Sequence, residues 1–292
     1  MPSDLPREAS AEEGWRLLAI AREATEQAAE LVRAHVPGRL THKGDRDLAS
    51  ETDVAVEHHV RAFLHDKTPG VAFLGEEQAG EEQIGRPGAG GLQWILDPVD
   101  GTINLLHGIP LCAVSLSAVR AGAVLAAVVE LPFLGLQYTA VRGGGSFVNG
   151  RRLQVSATAT LDAALVSIDQ FTFSNGSDRK NPARLRLAEQ LARRAQRIRM
   201  FGTSAIDLAW TAEGRLDACI MLANKQWDTS AGVLLAREAG ARVLDHTGSD
   251  HSWDSASTIA VTPAIAAEFM SVVRAALADT QYGTLGPVPE ER

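Results

Sequence analysis

The stretch Trp94-Ile95-Leu96-Asp97-Pro98-Val99-Asp100-Gly101-Thr102-Ile103-Asn104 organises the reading of the whole chain. Its first three residues form a short apolar run that reads as a buried strand. The run is expected to stop at Asp97, because Pro98 has no N–H for a ladder bond and Gly101 favours a turn. Asp97 and Asp100, separated by Pro98-Val99, then leave the strand end together, and one turn directs both carboxylates and an intervening carbonyl into one pocket. An all-oxygen set of this kind suits hard cations such as Mg²⁺ or Mn²⁺. Three other places put acids at the ends of elements: Asp53 in the first turn of a helix opened by Ser50-Glu51-Thr52, Glu76-Glu77 after the apolar run Val71 to Leu74, and Asp228 at a helix start. A carboxylate at a helix start is favoured by the helix dipole, which predicts that Asp228 stays ionised.

Outward from this string, Ser10 and Glu13 have capping-box spacing before an amphipathic helix that ends by Pro37-Gly38. Leu111 to Val119, Ala123 to Leu131 and Gln137 to Val141 read as three strands joined by Gly122 and a Pro132–Gly135 turn, followed by a hairpin tipped by Asn149-Gly150. These connections are too short for crossover helices, so the first sheet is expected to be largely antiparallel. From about residue 160 strands and helices alternate: strand 163–168, helix 182–197, strand 198–201, helix 204–213, strand 216–222, helix 229–239 and strand 241–245. The expected fold is therefore an α+β half over residues 1–160 joined to an α/β half over 161–280 in one compact unit. Residues 281–292 form a tail with little to bury.

The chain has 292 residues, 45% of them hydrophobic and 22% charged, which excludes disorder and coiled coil. Its 36 Asp and Glu against 28 Lys and Arg give a net charge of −8, so nucleic acid is not an expected partner. An acidic chain that handles an anion needs local positive charge from another source, and metal ions supply it. Cys112 and Cys219 make no disulfide framework and read as buried apolar residues. The N-terminus lacks the pattern of a signal peptide and no window is apolar enough to span a membrane, so a cytoplasmic location and no membrane partner are expected.

The string Asp97 to Asn104 resembles the DPxDGTxN signature of the inositol monophosphatase family of metal-dependent phosphatases. Six fixed positions match by chance on the order of once in tens of millions of windows. Gly75-Glu76-Glu77 is similar to the family's GEE, Glu51-Thr52-Asp53 to its T-x-T-D segment, Gly202-Thr203-Ser204-Ala205 to its G-[ST]-A-A loop, and Trp227 to Gly232 to its WDxAAG. The resemblance implies a layered αβαβα sandwich and a phosphoric monoester hydrolase with about two to three Mg²⁺ ions per site, Mn²⁺ being an alternative. It implies that Glu76, Asp97 and the Val99 carbonyl hold a first metal, Asp97, Asp100 and Asp228 a second, with Glu76 sharing a third. Glu76 and Thr102, the latter oriented by Asp53, would position and activate the attacking water. Gly101, Thr102, Asp100, Gly202, Thr203 and Ser204 would contact the phosphate or substrate, the first two through backbone amides. A homodimer is the family's common assembly.

The expected substrate is a small polyol or sugar-type phosphate such as inositol monophosphate. Where relatives that bind inositol phosphates carry a glutamate, this chain has Met221, and Gln170-Phe171 replace a serine. Histidinol phosphate and 3′-phosphoadenosine 5′-phosphate are therefore alternatives, and a non-catalytic metal-binding scaffold is the alternative of a different class. Asn224 or Lys225 could take over the missing polar role. Lys43 lies in a loop where the family has a lysine near the third metal. Ser230, Ala231 and Gly232 are small enough to bring their helix close to the metal loop. The arginine-rich segment 179–199 reads as a solvated helix face with Leu185, Leu187, Leu191 and Ile198 turned inward, or as a source of one arginine for the substrate. The histidines, His58 and His59 among them, lack ligand spacing.

Overall fold

The computed structural model describes residues 7–34, 40–42, 48–77, 91–171, 180–222, 225–280 and 282. Lys43, Asn224, the start of the arginine-rich segment and nearly all of stretches 79–91 and 281–292 lie outside the described residues. Helix α1 (Arg7–Ala34) begins upstream of Ser10, so the expected capping box falls inside the helix, and Glu13 instead pairs with Arg120 through two bonds of 2.6 and 2.7 Å. Strands β1 (Leu40–His42) and β2 (Leu48–Ser50) form a small antiparallel ladder that leads into α2 (Glu51–Lys67).

A seven-stranded sheet follows with its strands in chain order: β3 (Ala72–Gly75), β4 (Leu92–Asp100), β5 (Ala113–Arg120), β6 (Ala123–Leu131), β7 (Leu136–Val141), β8 (Gly145–Val148) and β9 (Arg151–Arg152). Only β3 and β4 run parallel, as the short connections require. Strand β4 does not stop at Asp97. It pairs Asp97 with Ser115 and, after a register shift, Asp100 with Ala113, so Pro98 and Val99 sit in a β-bulge. A bulge tolerates proline because it breaks the ladder locally, and it kinks the strand toward whatever it serves. Gly101 then adopts φ 94° and opens α3 (Thr102–Leu106); a Cβ at Gly101 would stand 2.9 Å from the Leu111 carbonyl.

The second half holds β10 (Leu165–Ile168), α4 (Asn181–Ala192), β11 (Arg197–Arg199), α5 (Ser204–Ala212), β12 (Ala218–Met221), α6 (Gln226–Glu238), β13 (Arg242–Leu244), β14 (Thr258–Val261) and α7 (Ala266–Leu277). Its five-stranded sheet has the order β11-β10-β12-β14-β13. β10 is parallel to β11 and β12, whereas β14 inserts antiparallel between β12 and β13. Helix α4 ends at Ala192 rather than 197, because the chain turns after Leu191 and the Gln196 N–H already bonds the Ala164 carbonyl beside β10. Leu185 is 59% exposed, and Ala183, Leu187 and Leu191 are the inward stripe.

The apolar clusters stack these elements into five layers. Leu17, Ala21 and Ala28 of α1 and Val56 and Val60 of α2 cover one face of the first sheet at Trp94, Leu96 and Leu116. Its other face, Ala127, Val129 and Tyr138, meets Ala205 and Ala209 of α5 and Ala231 and Leu235 of α6. The far side of that helix pair, Leu208 and Val233, packs on Cys219, Met221 and Ala260 of the second sheet. Ile168, Ile220 and Ile259 on the opposite face are covered by Leu187 of α4 and Phe269 and Val273 of α7. The result is the αβαβα sandwich. Gly232 serves the central layer rather than the metal loop, since a Cβ there would lie 2.5 Å from the Leu208 Cβ. Both cysteines are buried and free, and no described helix is long and apolar enough to cross a membrane.

Candidate active site

The parallel register of β3 and β4 pairs Gly75 with Leu96, so β3 ends just ahead of the bulged segment of β4 and brings Glu76 next to Asp97. The Glu76 N–H bonds the Leu96 carbonyl at 3.2 Å, which pins that exit. A Cβ at Gly75 would fall 2.3 Å from the Glu57 carboxylate, so a larger residue there would have to displace that side chain. Asp97 is 1% exposed, and its Oδ1 is buried with no hydrogen-bond partner. Beyond the bulge, Asp100 Oδ2 accepts the Thr203 hydroxyl at 2.7 Å and the Ala205 N–H at 2.6 Å, and so is anchored on the first turn of α5. The Thr203 hydroxyl also accepts the Ile206 N–H, which makes it the N-cap of α5. Asn104 bridges the two halves by donating to the Leu111 and Phe201 carbonyls at 2.8 and 2.7 Å.

Asp53, in the first turn of α2 and 1% exposed, receives the Thr102 hydroxyl at 2.9 Å; the same hydroxyl lies 3.1 Å from the Val99 carbonyl. Asp228 stands in the first turn of α6, where its Oδ2 accepts the Lys225 N–H at 3.3 Å. A cavity of about 310 Å³ opens over this ground. Glu76, Asp100, Gly202, Thr203, Ser204 and Asp228 line it, while Asp53, Asp97, Val99, Gly101 and Thr102 do not.

Crowding dominates the electrostatics. Burial, and then the charges of Glu76, Asp100, Asp228 and Asp53, hold the Asp97 carboxyl far above the ordinary carboxylate range. Asp100 is pushed up to about 6 by burial, against the pull of the Ala205 and Thr203 hydrogen bonds. Asp228 is raised well above its usual value by burial and by Asp100 and Glu76. Without a cation, desolvation and like charge at Asp228 outweigh the pull of the helix terminus. Among the described residues, no three His, Cys, Asp or Glu side chains are arranged as a ready metal site. The donor set nonetheless fits hard cations: every donor is an oxygen, one buried acceptor has no partner, and the mutual repulsion is of the kind a cation relieves.

The lining also includes Lys225, a candidate for the missing polar role, together with Asp169 after β10, Gln170, Asp207 on α5 and Trp227, which lie outside the expected site set. The Lys225 ammonium lies 5.8 Å from the Trp227 ring centroid. Asp207, buried beside the Ser167 hydroxyl at 2.6 Å, is also held well above its usual pKa, chiefly by burial. Asp169 follows a strand end just as Glu76 does, and that same signal could have found it. Asp207 gave none, because an acid on a helix ordinarily faces water. Met221 faces α5 and α6 in the core and does not line the cavity. Arg184, in the segment read as a solvated face, is 3% exposed and pairs with Asp169.

A sequence profile of the inositol monophosphatase family matches residues 15–278. The chain belongs to the inositol monophosphatase family. It is 33% identical over 259 residues, 88% of this chain and 92% of the relative, to inositol-1-monophosphatase ImpA of Mycolicibacterium smegmatis. It is 38% identical over 236 residues, 81% of this chain and 86% of the relative, to an inositol-1-monophosphatase of Rhizobium meliloti. Among solved structures, the extragenic suppressor protein suhB of Bartonella henselae superposes with a TM-score of 0.81 at 30% identity, covering 89% of this chain and 98% of that one. As an inositol monophosphatase family member the chain is a phosphoric monoester hydrolase, and its layered sandwich is the fold of its structural neighbours.

Proposed function

We propose that the protein is a Mg²⁺-dependent phosphomonoesterase that transfers the phosphoryl group of a small polyol or sugar-type phosphate, such as inositol monophosphate, to water. The observation that carries this reading is Asp97: a buried carboxylate with an unpartnered oxygen, in the field of Glu76, Asp100 and Asp228, three acids that line the polar cavity beside it. Glu76, Asp97, Asp100, Asp228 and the Val99 carbonyl would hold about two to three Mg²⁺ ions, which when bound supply the positive charge that phosphoryl transfer to water needs. Thr102, with its proton directed at Asp53, keeps an oxygen lone pair for the attacking water, and Asp53 stands ready to take the hydroxyl proton. Glu76 would accept a hydrogen bond from the water's second O–H, which that water keeps, and so fix its orientation. The amides of Gly101 and Thr102, at the bulge exit, receive phosphate oxygens. Thr203 contributes by holding Asp100, and Gly202 and Ser204 border the substrate. The reading includes the homodimer common in the family.

Phosphate release, followed with Mg²⁺ present on inositol 1-phosphate, histidinol phosphate and 3′-phosphoadenosine 5′-phosphate, tests it. Turnover is expected to be greatest on inositol 1-phosphate and to cease with chelator. Tight Mg²⁺ binding by calorimetry with no release from any ester would replace the enzyme reading with a metal-binding scaffold.

A further inference from the structure

The cavity lining contains an arrangement that the hydrolytic step does not use. The Asp169 N–H bonds the Ile220 carbonyl at 3.1 Å, one step beyond the Ile168–Ile220 pair of the parallel β10–β12 ladder, which brings it to the level of Met221. Met221 turns into the apolar layer, so β12 offers the cavity no polar side chain at that level, and Asp169, one strand over, lines it.

The carboxylate of Asp169 is fixed from one side only. Arg184 donates Nε and Nη2 to Oδ2 at 3.0 and 2.7 Å, and the Leu222 N–H adds a third bond at 3.1 Å. The Arg184 side chain is 3% exposed, an expensive place for a guanidinium that is tolerated only against a charge partner. The second oxygen, Oδ1, is buried and has no hydrogen-bond partner among the described residues. Three donors on one oxygen and none on the other is not how a buried carboxylate is satisfied when its role is purely structural. Asp169 borders the cavity, and Oδ1 is the one oxygen of its carboxylate still able to accept a hydrogen bond. The Leu222 carbonyl accepts the Tyr282 hydroxyl, so both backbone groups of the residue that steadies Asp169 are themselves held.

We propose that Asp169 is the specificity-determining residue of the pocket, its Oδ1 accepting a hydroxyl of the substrate's leaving group, and that Arg184 is the positioning residue that presents it. The proposal rests on the phosphatase reading and adds the leaving-group class: a group with hydroxyl donors on the side remote from the phosphate, preferred over a flat aromatic one.

Two variants test it, Asp169→Ala and the double variant Asp169→Leu/Arg184→Met, the second exchanging the buried ion pair for apolar side chains of similar size so that folding does not hinge on the pair. Each is assayed beside wild type, with Mg²⁺, on inositol 1-phosphate and on p-nitrophenyl phosphate. The kcat/KM ratio of the inositol ester over the nitrophenyl ester is expected to fall about tenfold to a hundredfold in both variants, with the loss residing in KM for the inositol ester. A ratio within about twofold of wild type, or equal losses on both esters, overturns the proposal and leaves the phosphatase reading intact. A wild type that releases phosphate from neither ester removes that reading and the proposal with it.

Discussion

The two sheets divide the labour of the pocket differently. The first is a meander whose strands pair in chain order, and it delivers Glu76, Asp97, Asp100 and Thr102 from two adjacent strand ends and one bulge. The second is wound out of order, and it delivers Asp169 from one strand exit, while Asp207, Lys225 and Trp227 come from the helices and connections around it. In the proposed reading, residues 76–102, joined by Asp53 and Asp228, build the chemical side, and residues dispersed over 169–227 build the side that would meet the organic part of the substrate. Chemistry tolerates little displacement and sits on rigid neighbouring strands, whereas selectivity sits on connections that vary at lower cost.

If that division is right, substitutions on the first sheet's side should strike turnover itself. The largest effect is expected for Asp97→Asn, with phosphate release lowered at least about a thousandfold, close to 4 kcal/mol of barrier; residual turnover near a tenth of wild type would take the chemistry away from that strand end. Thr102→Val keeps the shape and removes the hydroxyl that contacts Asp53, so kcat is expected to drop about a hundredfold with little change in KM, read by steady-state kinetics. Between the sheets, Gly232→Ala places a methyl 2.5 Å from Leu208 and should cost about 1–3 kcal/mol, seen as a fall of several degrees in the thermal midpoint. The smallest effect concerns pH. Asp100 titrates at about 6 in the folded chain against 3.8 for the free side chain, so the metal-free fold binds more protons than the unfolded chain between those values. Its contribution to stability is complete below about pH 4 and is lost as pH rises through about 6, and Asp97 and Asp228 shift in the same direction. The midpoint of chelated protein should therefore decline by a few degrees from pH 4 to 7 and recover with Mg²⁺ at pH 7; a flat profile would mean that the carboxylates do not act as one cluster.

The same contrast governs what the amino-acid sequence disclosed. Gly122, Pro132–Gly135 and Asn149-Gly150 are local turn signals, and local signals suffice for strands that pair with their chain neighbours. They do not suffice for β14, which lodges between β12 and β13 through a contact no local pattern announces. Pro98 suggested a strand end because the sequence shows the missing N–H but not the bulge that absorbs it. Carboxylates at element ends were legible as a group, since acids there rarely have a packing reason. Asp207 was not, because only the tertiary fold turns that face of α5 toward the cavity, and Arg184 looked solvated until its partner Asp169 was in place.

The central helical layer has a consequence for how the chain is made. Among the described residues, Ala127, Val129 and Tyr138 of the first sheet are covered chiefly by α5 and α6, whose covering residues run from Ala205 to Leu235. A ribosome that has released the whole meander has therefore exposed a finished sheet with one bare apolar face, and that face stays bare while the next stretch of chain is synthesised. This interval is when the nascent protein is open to aggregation, and when a chaperone has something to hold.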